Sequence, residues 1–267
     1  YADIILYGAI KEWFLNTLLK KFLNMVKVFV FGIDGGSLDL INQWKNDLPN
    51  FSNLIKNGTS GYLHTIIPML TPPGWTSFAT GKNPGKHNIF DFFKIKDYKK
   101  EIVKSYDRKA EAVWDILSRN NKKTIVLNLP NTYPPQHLDG IIICGAETPS
   151  TNLNFTYPSS FKKKIFELIP DYKTGITLSN LEYKKYDNFL NDLYKITNYY
   201  KNLILYLIKN EEWDLFINVF EDIDRLKHYL WKYMDPKHPS YVKGNKYESA
   251  IHDYYKELDN LLGEILS

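Results

Sequence analysis

Short apolar, β-branched runs alternate with longer amphipathic helical patterns along most of this chain, and that alternation limits the fold more than any other feature. The apolar runs that predict strands cover residues 26–36, 61–67, 122–130, 139–145 and 213–220. The helical patterns cover residues 50–58, 107–121, 157–170, 186–212, 222–234 and 243–266, and a short helical run follows residue 71. This alternation predicts an α/β fold with a mostly parallel central sheet and helices on both faces.

The composition supports a sizeable core and restricts the partners. The 267 residues are 44% hydrophobic, and the net charge of +4 is spread over lysine-rich helices. So diffuse a charge does not favour binding of a nucleic-acid polymer. The single cysteine, Cys144, excludes an intramolecular disulfide and is typical of a reducing compartment, so we expect a cytoplasmic location. No apolar run reaches the length of about 18 residues that a transmembrane helix needs.

The first 24 residues have a pattern of their own. Ile10, Phe14, Leu18 and Phe22 recur every four residues, and polar residues occupy the other face, which predicts an amphipathic helix. Such a helix can lie on a membrane surface; it can equally pack on the domain, or precede a true start at Met25. We therefore divide the chain into an N-terminal helix, residues 1–24, and an α/β domain, residues 25–267.

Three predicted strand ends carry reactive side chains, and ligands of open parallel sheets bind at the carboxyl ends of strands. Asp34 follows the first strand and precedes two glycines. Thr71 stands at a predicted helix N-cap before Pro72, beside free N–H groups and the positive end of the helix dipole, where a hydroxyl is a candidate nucleophile toward phosphate. Asp224 and His228 are four residues apart at a helix start and share a face, a pairing that suits zinc or a similar divalent ion.

Each of these signals has an ordinary structural alternative. An aspartate at a strand end is commonly a turn residue, a Thr-Pro pair is commonly only a helix start, and an Asp-x-x-x-His pair is commonly a surface ion pair. The functional interpretation depends on all three occurring in this order on alternating strands and helices.

That combination resembles the alkaline phosphatase superfamily, in its type I phosphodiesterase and nucleotide pyrophosphatase branch, from about residue 26 to the end. The motifs that carry the resemblance are FGIDGG (31–36), TPPGWTSFATGKNPGKHNIFDF (71–92) and FEDIDRLKHYLWKYMDPKHPSY (220–241). The stretches NLPNTYPP (128–135) and GAETPS (145–150) also match microbial members.

The resemblance implies a metal-dependent phosphohydrolase, a phosphodiesterase or nucleotide pyrophosphatase, that acts through a phosphothreonine intermediate. Thr71 would be the nucleophile and would share one divalent ion with Asp34, while Asp224 and His228 would bind a second. Zinc is the first candidate for both ions, with manganese and iron as alternatives. The substrate would be a phosphate-ester small molecule or head group, selected by an inserted helical cap within residues 150–210. Lys82 and Lys86 would attract the anion, or are simply solvated loop lysines.

The sequence departs from the family pattern in one respect. The family supplies a later Asp-His pair and one further histidine, and none of the six histidines here follows an aspartate. Three ligands besides the nucleophile would then serve two metals, where the family uses six. His238 is a conceivable substitute, although its proline-flanked loop favours a structural role. We therefore expect a chain that ends before the site is complete, binds zinc weakly and has little activity as it stands.

Three rival functions follow from the same residues. A sulfatase needs Cys or Ser as nucleophile and Arg four residues on, and Thr71 and Trp75 occupy those positions. A phosphomutase of the same superfamily stays open, because the same site chemistry serves it. A non-catalytic binding module of this fold also stays open; the missing ligands favour it and the four site residues oppose it.

Overall fold

The computed structural model describes residues 26–176 and 186–267. The helix predicted for residues 1–24, and residues 177–185 of the predicted cap, lie outside the described residues. The strands are β1 (Val28–Ile33), β2 (Phe93–Lys96), β3 (Lys99–Ile102), β4 (Thr124–Leu127), β5 (Gly140–Ile143), β6 (Thr156–Tyr157) and β7 (Leu215–Phe220). The helices are α1 (Leu38–Gln43), α2 (Pro49–Asn57), α3 (Thr71–Thr80), α4 (Pro84–His87), α5 (Val113–Arg119), α6 (Phe161–Leu168), α7 (Tyr186–Asn210), α8 (Asp222–Met234) and α9 (Ala250–Leu266).

Five of the strands form one mostly parallel sheet in the order β1-β7-β4-β5-β6. Strand β4 pairs in parallel with β5 and with β7, in a register that sets Thr124 opposite both Gly140 and Leu215. The first strand runs the same way as β7, because the Val28 N–H donates to Asp214 at its start and the Asp34 N–H donates to Phe220 after its end. Only the short β6 is antiparallel to its neighbour, β5. The α/β fold with a mostly parallel central sheet is therefore confirmed.

The described residues fall into two compact units. The first contains residues 31–64 and 220–267, in which α9 packs against α2 and α8. Its core includes Ile41, Leu48, Ile223, Tyr254 and Leu258, which are at most 1% exposed. The second contains residues 26–30, 65–176 and 186–219. Its interior holds β4, every residue of which is buried, and nine buried residues of the long helix α7.

Four of the five strand predictions and the main helix predictions are confirmed, and the differences have local causes. The strand predicted over residues 61–67 is wrong: that segment has no strand structure, and Ile67 is 86% exposed. The helix predicted over residues 107–121 is confined to α5, because the Asp115 side chain accepts the Ala112 N–H and starts the helix there. The β2–β3 hairpin was not predicted.

Among the described helices, none is both long enough and apolar enough to cross a membrane.

Candidate active site

Asp34 sits in a tight turn at the end of β1. The residue is 6% exposed, and its N–H donates to the carbonyl of Phe220, 3.0 Å away, where β7 ends. The next residue, Gly35, has φ +62°, a backbone conformation that residues other than glycine rarely adopt. The Gly36 N–H donates to the Ile33 carbonyl at 3.1 Å and closes the turn. The two glycines thus form a tight turn after β1, in which the backbone around Asp34 is held by two hydrogen bonds.

The beginning of α8 packs directly on that turn. A Cβ atom added to Gly35 would stand 2.6 Å from Oδ1 of Asp224 and 3.3 Å from its Cα. Lys227, one turn further along α8, donates from Nζ to the Gly35 carbonyl at 2.5 Å. Glycine is therefore required at position 35 for two reasons: it adopts the positive φ angle, and its lack of a side chain lets the Asp224 carboxylate approach the turn.

Asp224 and His228 lie on one face of α8, as their spacing predicts. The distance from Asp224 Oδ2 to His228 Nε2 is 3.2 Å, and the side chains are 34% and 74% exposed, so both can be reached from solvent. Two donor atoms that bind one zinc ion at about 2.0–2.1 Å with tetrahedral geometry stand roughly 3.3 Å apart. The two atoms are thus already separated as they would be around a single ion.

The neighbouring acidic residue, Asp222, is not in that position. It is 3% exposed, and its Oδ1 lies 3.5 Å from a guanidinium nitrogen of Arg225. Burial raises the pKa of the Asp222 carboxyl above its ordinary value, and Arg225 acts in the opposite direction. Of the two aspartates at the start of α8, Asp224 is therefore the one placed to contact an ion.

The side chains of Asp224 and His228 are chemically suited to a divalent ion, but they are few. Carboxylate oxygens and imidazole nitrogen are ligands that zinc, manganese and iron accept. Within residues 26–176 and 186–267, however, no group of three or more His, Cys, Asp or Glu side chains is arranged to hold a metal ion. Asp224 and His228 supply two ligands to one ion, and further ligands have to come from elsewhere.

Thr71 is the first residue of α3, and this corrects the predicted cap. Leu70 is the N-cap residue, its side chain makes no capping hydrogen bond, and Pro72 and Pro73 follow Thr71 in the first turn. Prolines have no N–H, and the Leu70 N–H donates to the Pro68 carbonyl. The expectation that several helix amides surround the hydroxyl is therefore wrong; any backbone contribution to binding an anion falls on the Thr71 amide and the helix dipole.

Thr76, the other threonine of the motif, has a structural role. It is 3% exposed, and its hydroxyl accepts a hydrogen bond from Asn131 Nδ2 at 3.2 Å. The loop that bears Asn131 is held by Glu147, whose carboxylate accepts the Thr132 N–H at 2.8 Å. Burial raises the pKa of the Glu147 carboxyl, and the backbone N–H groups around it act in the opposite direction. The stretches 128–135 and 145–150 thus contact each other and support the helix that begins with Thr71.

His87 also contacts α3, through the residue that follows Thr76. The imidazole is fully buried; Nδ1 accepts the Ile89 N–H at 3.2 Å, and Nε2 lies 2.8 Å from Ser77 Oγ. Because Nδ1 accepts, the ring proton lies on Nε2 and is donated to Ser77. Burial lowers the pKa of His87, so the neutral ring is favoured. With both nitrogens occupied, this histidine is a packing residue.

The structure brings three of the four predicted site residues into one compact unit, the turn of Asp34 and the α8 pair Asp224 and His228. Thr71 belongs to the other unit. That Asp34, Thr71 and Asp224 together surround one two-metal site stays a prediction.

A family model described as type I phosphodiesterase / nucleotide pyrophosphatase matches residues 28–267. The chain belongs to this family. The match covers every described element and all four predicted site residues. No curated protein sequence matches significantly.

Solved structures share the family fold at low sequence identity. One is murine ectonucleotide pyrophosphatase / phosphodiesterase 5, as an inactive threonine-to-alanine variant in complex with AMP. It matches with a TM-score of 0.55 and 14% sequence identity, and the alignment covers 91% of this chain and 52% of that chain. Another is phosphonoacetate hydrolase from Sinorhizobium meliloti 1021 in complex with phosphonoacetate. It matches with a TM-score of 0.54 and 13% sequence identity, and the alignment covers 90% of this chain and 53% of that chain. The present chain thus spans about half the length of these phosphodiesterase-like structures.

Two contributors to this site were not predicted from the sequence. Lys227 was passed over, although it lies three residues after Asp224 and so on the same side of the helix. Asn131 was treated as a family resemblance without chemistry; its NLPN loop follows a predicted strand, which is the signal that could have marked it.

Proposed function

We propose that this chain carries part of the active site of a metal-dependent phosphodiesterase or nucleotide pyrophosphatase. The observation that carries the proposal is the 3.2 Å separation of Asp224 Oδ2 and His228 Nε2, beside the turn that presents Asp34, in a chain of the phosphodiesterase family. Two donor atoms at that separation can bind one ion or form a surface ion pair, and the packing of their helix against the turn that presents Asp34 is what favours ion binding.

In the proposed reaction, the Thr71 hydroxyl oxygen attacks phosphorus and the bond from phosphorus to the leaving oxygen breaks. The phosphoryl group is then esterified to Thr71, and the leaving group departs with a proton. A water molecule next attacks the phosphothreonine, the bond to Thr71 Oγ breaks, and phosphate or a phosphomonoester is released. Thr71 starts a helix whose dipole is positive at that end, which favours the negative charge of the phosphoryl group.

Asp34 and Thr71 would hold one divalent ion, and Asp224 with His228 a second. Zinc is the first candidate, and manganese or iron are alternatives for the same oxygen and nitrogen donors. When bound, such ions polarise phosphoryl oxygens and lower the pKa of hydroxyl groups and water. Because the two prolines remove amide donors from the start of α3, this charge stabilisation depends more heavily on metal ions here than on the helix.

The proposed substrate is a small phosphate ester or phosphorylated head group. AMP and phosphonoacetate, the ligands of the two similar structures, are small anions with a phosphoryl or phosphonyl centre. The threonine-to-alanine substitution of the inactive murine protein is consistent with a threonine nucleophile.

The test compares three variants in a preparation that hydrolyses a chromogenic phosphodiester. Thr71→Ala is expected to lower kcat by roughly 10³-fold or more, as removal of a nucleophile does. Thr71→Ser keeps a hydroxyl and is expected to retain measurable turnover. Thr76→Ala is the matched control; it loses the hydrogen bond from Asn131, and we expect reduced stability with most of the activity kept. An essential Thr76 with a dispensable Thr71 would contradict the assignment.

The two rival functions give different results in the same experiment. A phosphomutase would form phosphothreonine, detected by mass spectrometry after acid quench, but would return the phosphoryl group to a sugar or glycerate rather than to water. A non-catalytic binding module would bind the phosphate ester with no phosphothreonine at any time.

The location in the cytoplasm stays a proposal that fractionation of the native cell would test.

A further inference from the structure

The β2–β3 hairpin, residues 93–102, is exposed on both faces. Among the residues of its two strands, all of which the structure describes, only Lys94 is partly buried. Together with the residues just before it, the hairpin exposes six large hydrophobic side chains by 41% to 103%: Phe90, Phe92, Phe93, Ile95, Tyr98 and Ile102. A two-stranded hairpin that buries neither of its faces is marginally stable in water, and a concentration of apolar groups this dense marks an interaction surface.

The two faces of the hairpin differ in character. The register pairs Phe93 with Ile102 and Ile95 with Lys100, so one face is apolar, and the Lys100 ammonium lies over the Phe93 ring at 3.8 Å. Lysine side chains can extend from such a face to reach an anionic layer while their methylene stems stay among apolar groups. This face therefore combines apolar area with positive charge.

The other face places two lysines directly opposite each other, Lys96 and Lys99. Like charges in a cross-strand pair are destabilising. Lys94 has acidic partners, Glu101 at 3.7 Å and Asp107, whereas no ion pair in the described part of the chain includes Lys96 or Lys99. An anionic surface would relieve the repulsion between these two lysines.

The tip of the hairpin carries an aromatic residue in an unfavourable backbone conformation. Asp97 and Tyr98 form the two-residue turn with φ of +49° and +60°, and Tyr98 is fully exposed. Glycine is the preferred residue at such a position, and a bulky side chain there is an outlier. A tyrosine in this place contributes nothing to packing in the described structure, whereas its amphipathic ring is of the kind that occupies the boundary between lipid and water.

We propose that the 93–102 hairpin docks on an anionic lipid surface, with Tyr98 and Ile95 entering the interface and Lys96, Lys99 and Lys100 contacting lipid phosphates. The hairpin has four lysines against two acidic residues, so its charge is complementary to such a surface. Its base is fixed to the protein, because the Val103 N–H donates to the Phe92 carbonyl at 2.9 Å and Val103 is buried. This docking does not depend on catalysis by Thr71.

The test is co-sedimentation of the purified protein with phosphatidylcholine vesicles that contain or lack about one third phosphatidylserine. The unmodified protein is expected to bind the anionic vesicles at low salt, bind the neutral ones weakly, and dissociate as salt is raised. Lys96→Glu/Lys99→Glu is expected to weaken binding at least roughly tenfold, since each lysine near an anionic surface contributes severalfold to affinity. Ile95→Ser/Tyr98→Ser is expected to weaken binding to a similar degree at low salt, because it removes the two apolar side chains that enter the interface.

Matched controls change charge or apolar area elsewhere on the exposed surface. Lys209→Glu/Lys243→Glu and Val242→Ser should bind as the unmodified protein does, and unchanged circular dichroism would verify folding in every case. Equal binding by the hairpin and control variants would overturn the proposal. So would binding to an RNA homopolymer with no binding to vesicles, or a dimer in solution that Ile95→Ser/Tyr98→Ser dissociates.

Discussion

The Oδ1 atom of Asp224 lies 2.6 Å from the point at which a Cβ atom of Gly35 would stand. A candidate metal ligand on α8 and the turn that presents Asp34 are therefore in direct contact, and only glycine leaves room for that contact. Rotation of the carboxylate would relieve the contact with Oδ1, but the Cα and Cβ atoms of Asp224, at 3.3 and 3.2 Å from the same point, would still have to move by a few tenths of an ångström.

Gly35→Ala is accordingly expected to destabilise the protein and to displace Asp224. The left-handed backbone costs a non-glycine residue about 1–2 kcal/mol, and the contact with α8 adds about 1 kcal/mol or more. Gly81→Ala is the matched control, because its φ of +63° is nearly the same and no atom lies within 4 Å of the point that an added Cβ would occupy. Urea denaturation of both variants measures the difference; equal losses of stability would show that the contact with Asp224 is unimportant.

His228→Ala is expected to weaken binding of zinc or manganese by at least about 10-fold, because it removes one of two donor atoms set 3.2 Å apart. Isothermal titration calorimetry of the protein with each metal gives the affinities. His238→Ala is the control, since the Nδ1 of that half-buried histidine accepts the Ser240 N–H at 3.1 Å. A larger loss in His238→Ala would identify His238 as the substitute ligand that the sequence left open.

The buried His87 is expected to make the protein less stable in mild acid. Its pKa is lowered in the folded state, so the unfolded chain takes up the proton first as pH falls. The free energy of unfolding should therefore be highest above about pH 6.5, and should decline below it with a slope of at most about 1.4 kcal/mol per pH unit until the folded-state pKa is reached.

Urea denaturation at several pH values between about 5.5 and 7.5 measures this slope. His87→Asn removes the titrating ring and keeps an acceptor close to the Ile89 N–H, so it should lower stability overall and flatten the dependence. His64→Gln, on an exposed loop, should leave the slope as it is. A slope that persists unchanged in His87→Asn would assign the acid sensitivity to other groups.

Asp259 is expected to be the most important single carboxylate for stability among residues 31–64 and 220–267. It is 1% exposed and accepts three hydrogen bonds: from the Asn50 N–H at 3.1 Å, Asn50 Nδ2 at 2.9 Å and the Phe51 N–H at 2.7 Å. It thereby satisfies amides at the start of α2, whose own N-cap residue, Leu48, makes no side-chain hydrogen bond. Asp259→Ala should cost about 3 kcal/mol, because buried N–H groups lose their acceptor.

Thermal and urea unfolding of three variants would check this role. Asp259→Asn keeps one acceptor oxygen and should cost less than Asp259→Ala. Glu257→Gln, on the same helix, should change stability by under about 0.5 kcal/mol, as surface substitutions do. A small effect of Asp259→Ala would mean that water replaces the carboxylate.

Local signals predicted most of the fold and part of the candidate site. Strands β1, β4, β5 and β7 were predicted because each is a continuous apolar run, and three of them, β4, β5 and β7, are almost entirely buried. Residues 61–67 have the same apolar appearance, but no neighbouring strand pairs with them, and pairing is a property of distant residues. The β2–β3 hairpin was missed for the opposite reason: its turn, Asp97-Tyr98, lacks the glycine that marks most two-residue hairpins.

The sequence by itself determined the α/β class, the positions of Asp34 after β1 and of Thr71 at the start of α3, and the shared face of Asp224 and His228 on α8. These depend on periodicity and on spacings of a few residues, which are local. Only the tertiary structure decided that Gly35 contacts Asp224, that Lys227 bonds the same turn, and that Asp259 serves α2 from 208 residues away. Contacts of this kind join residues distant in the chain through hydrogen bonds and close packing, and neither leaves a pattern in the order of the amino acids.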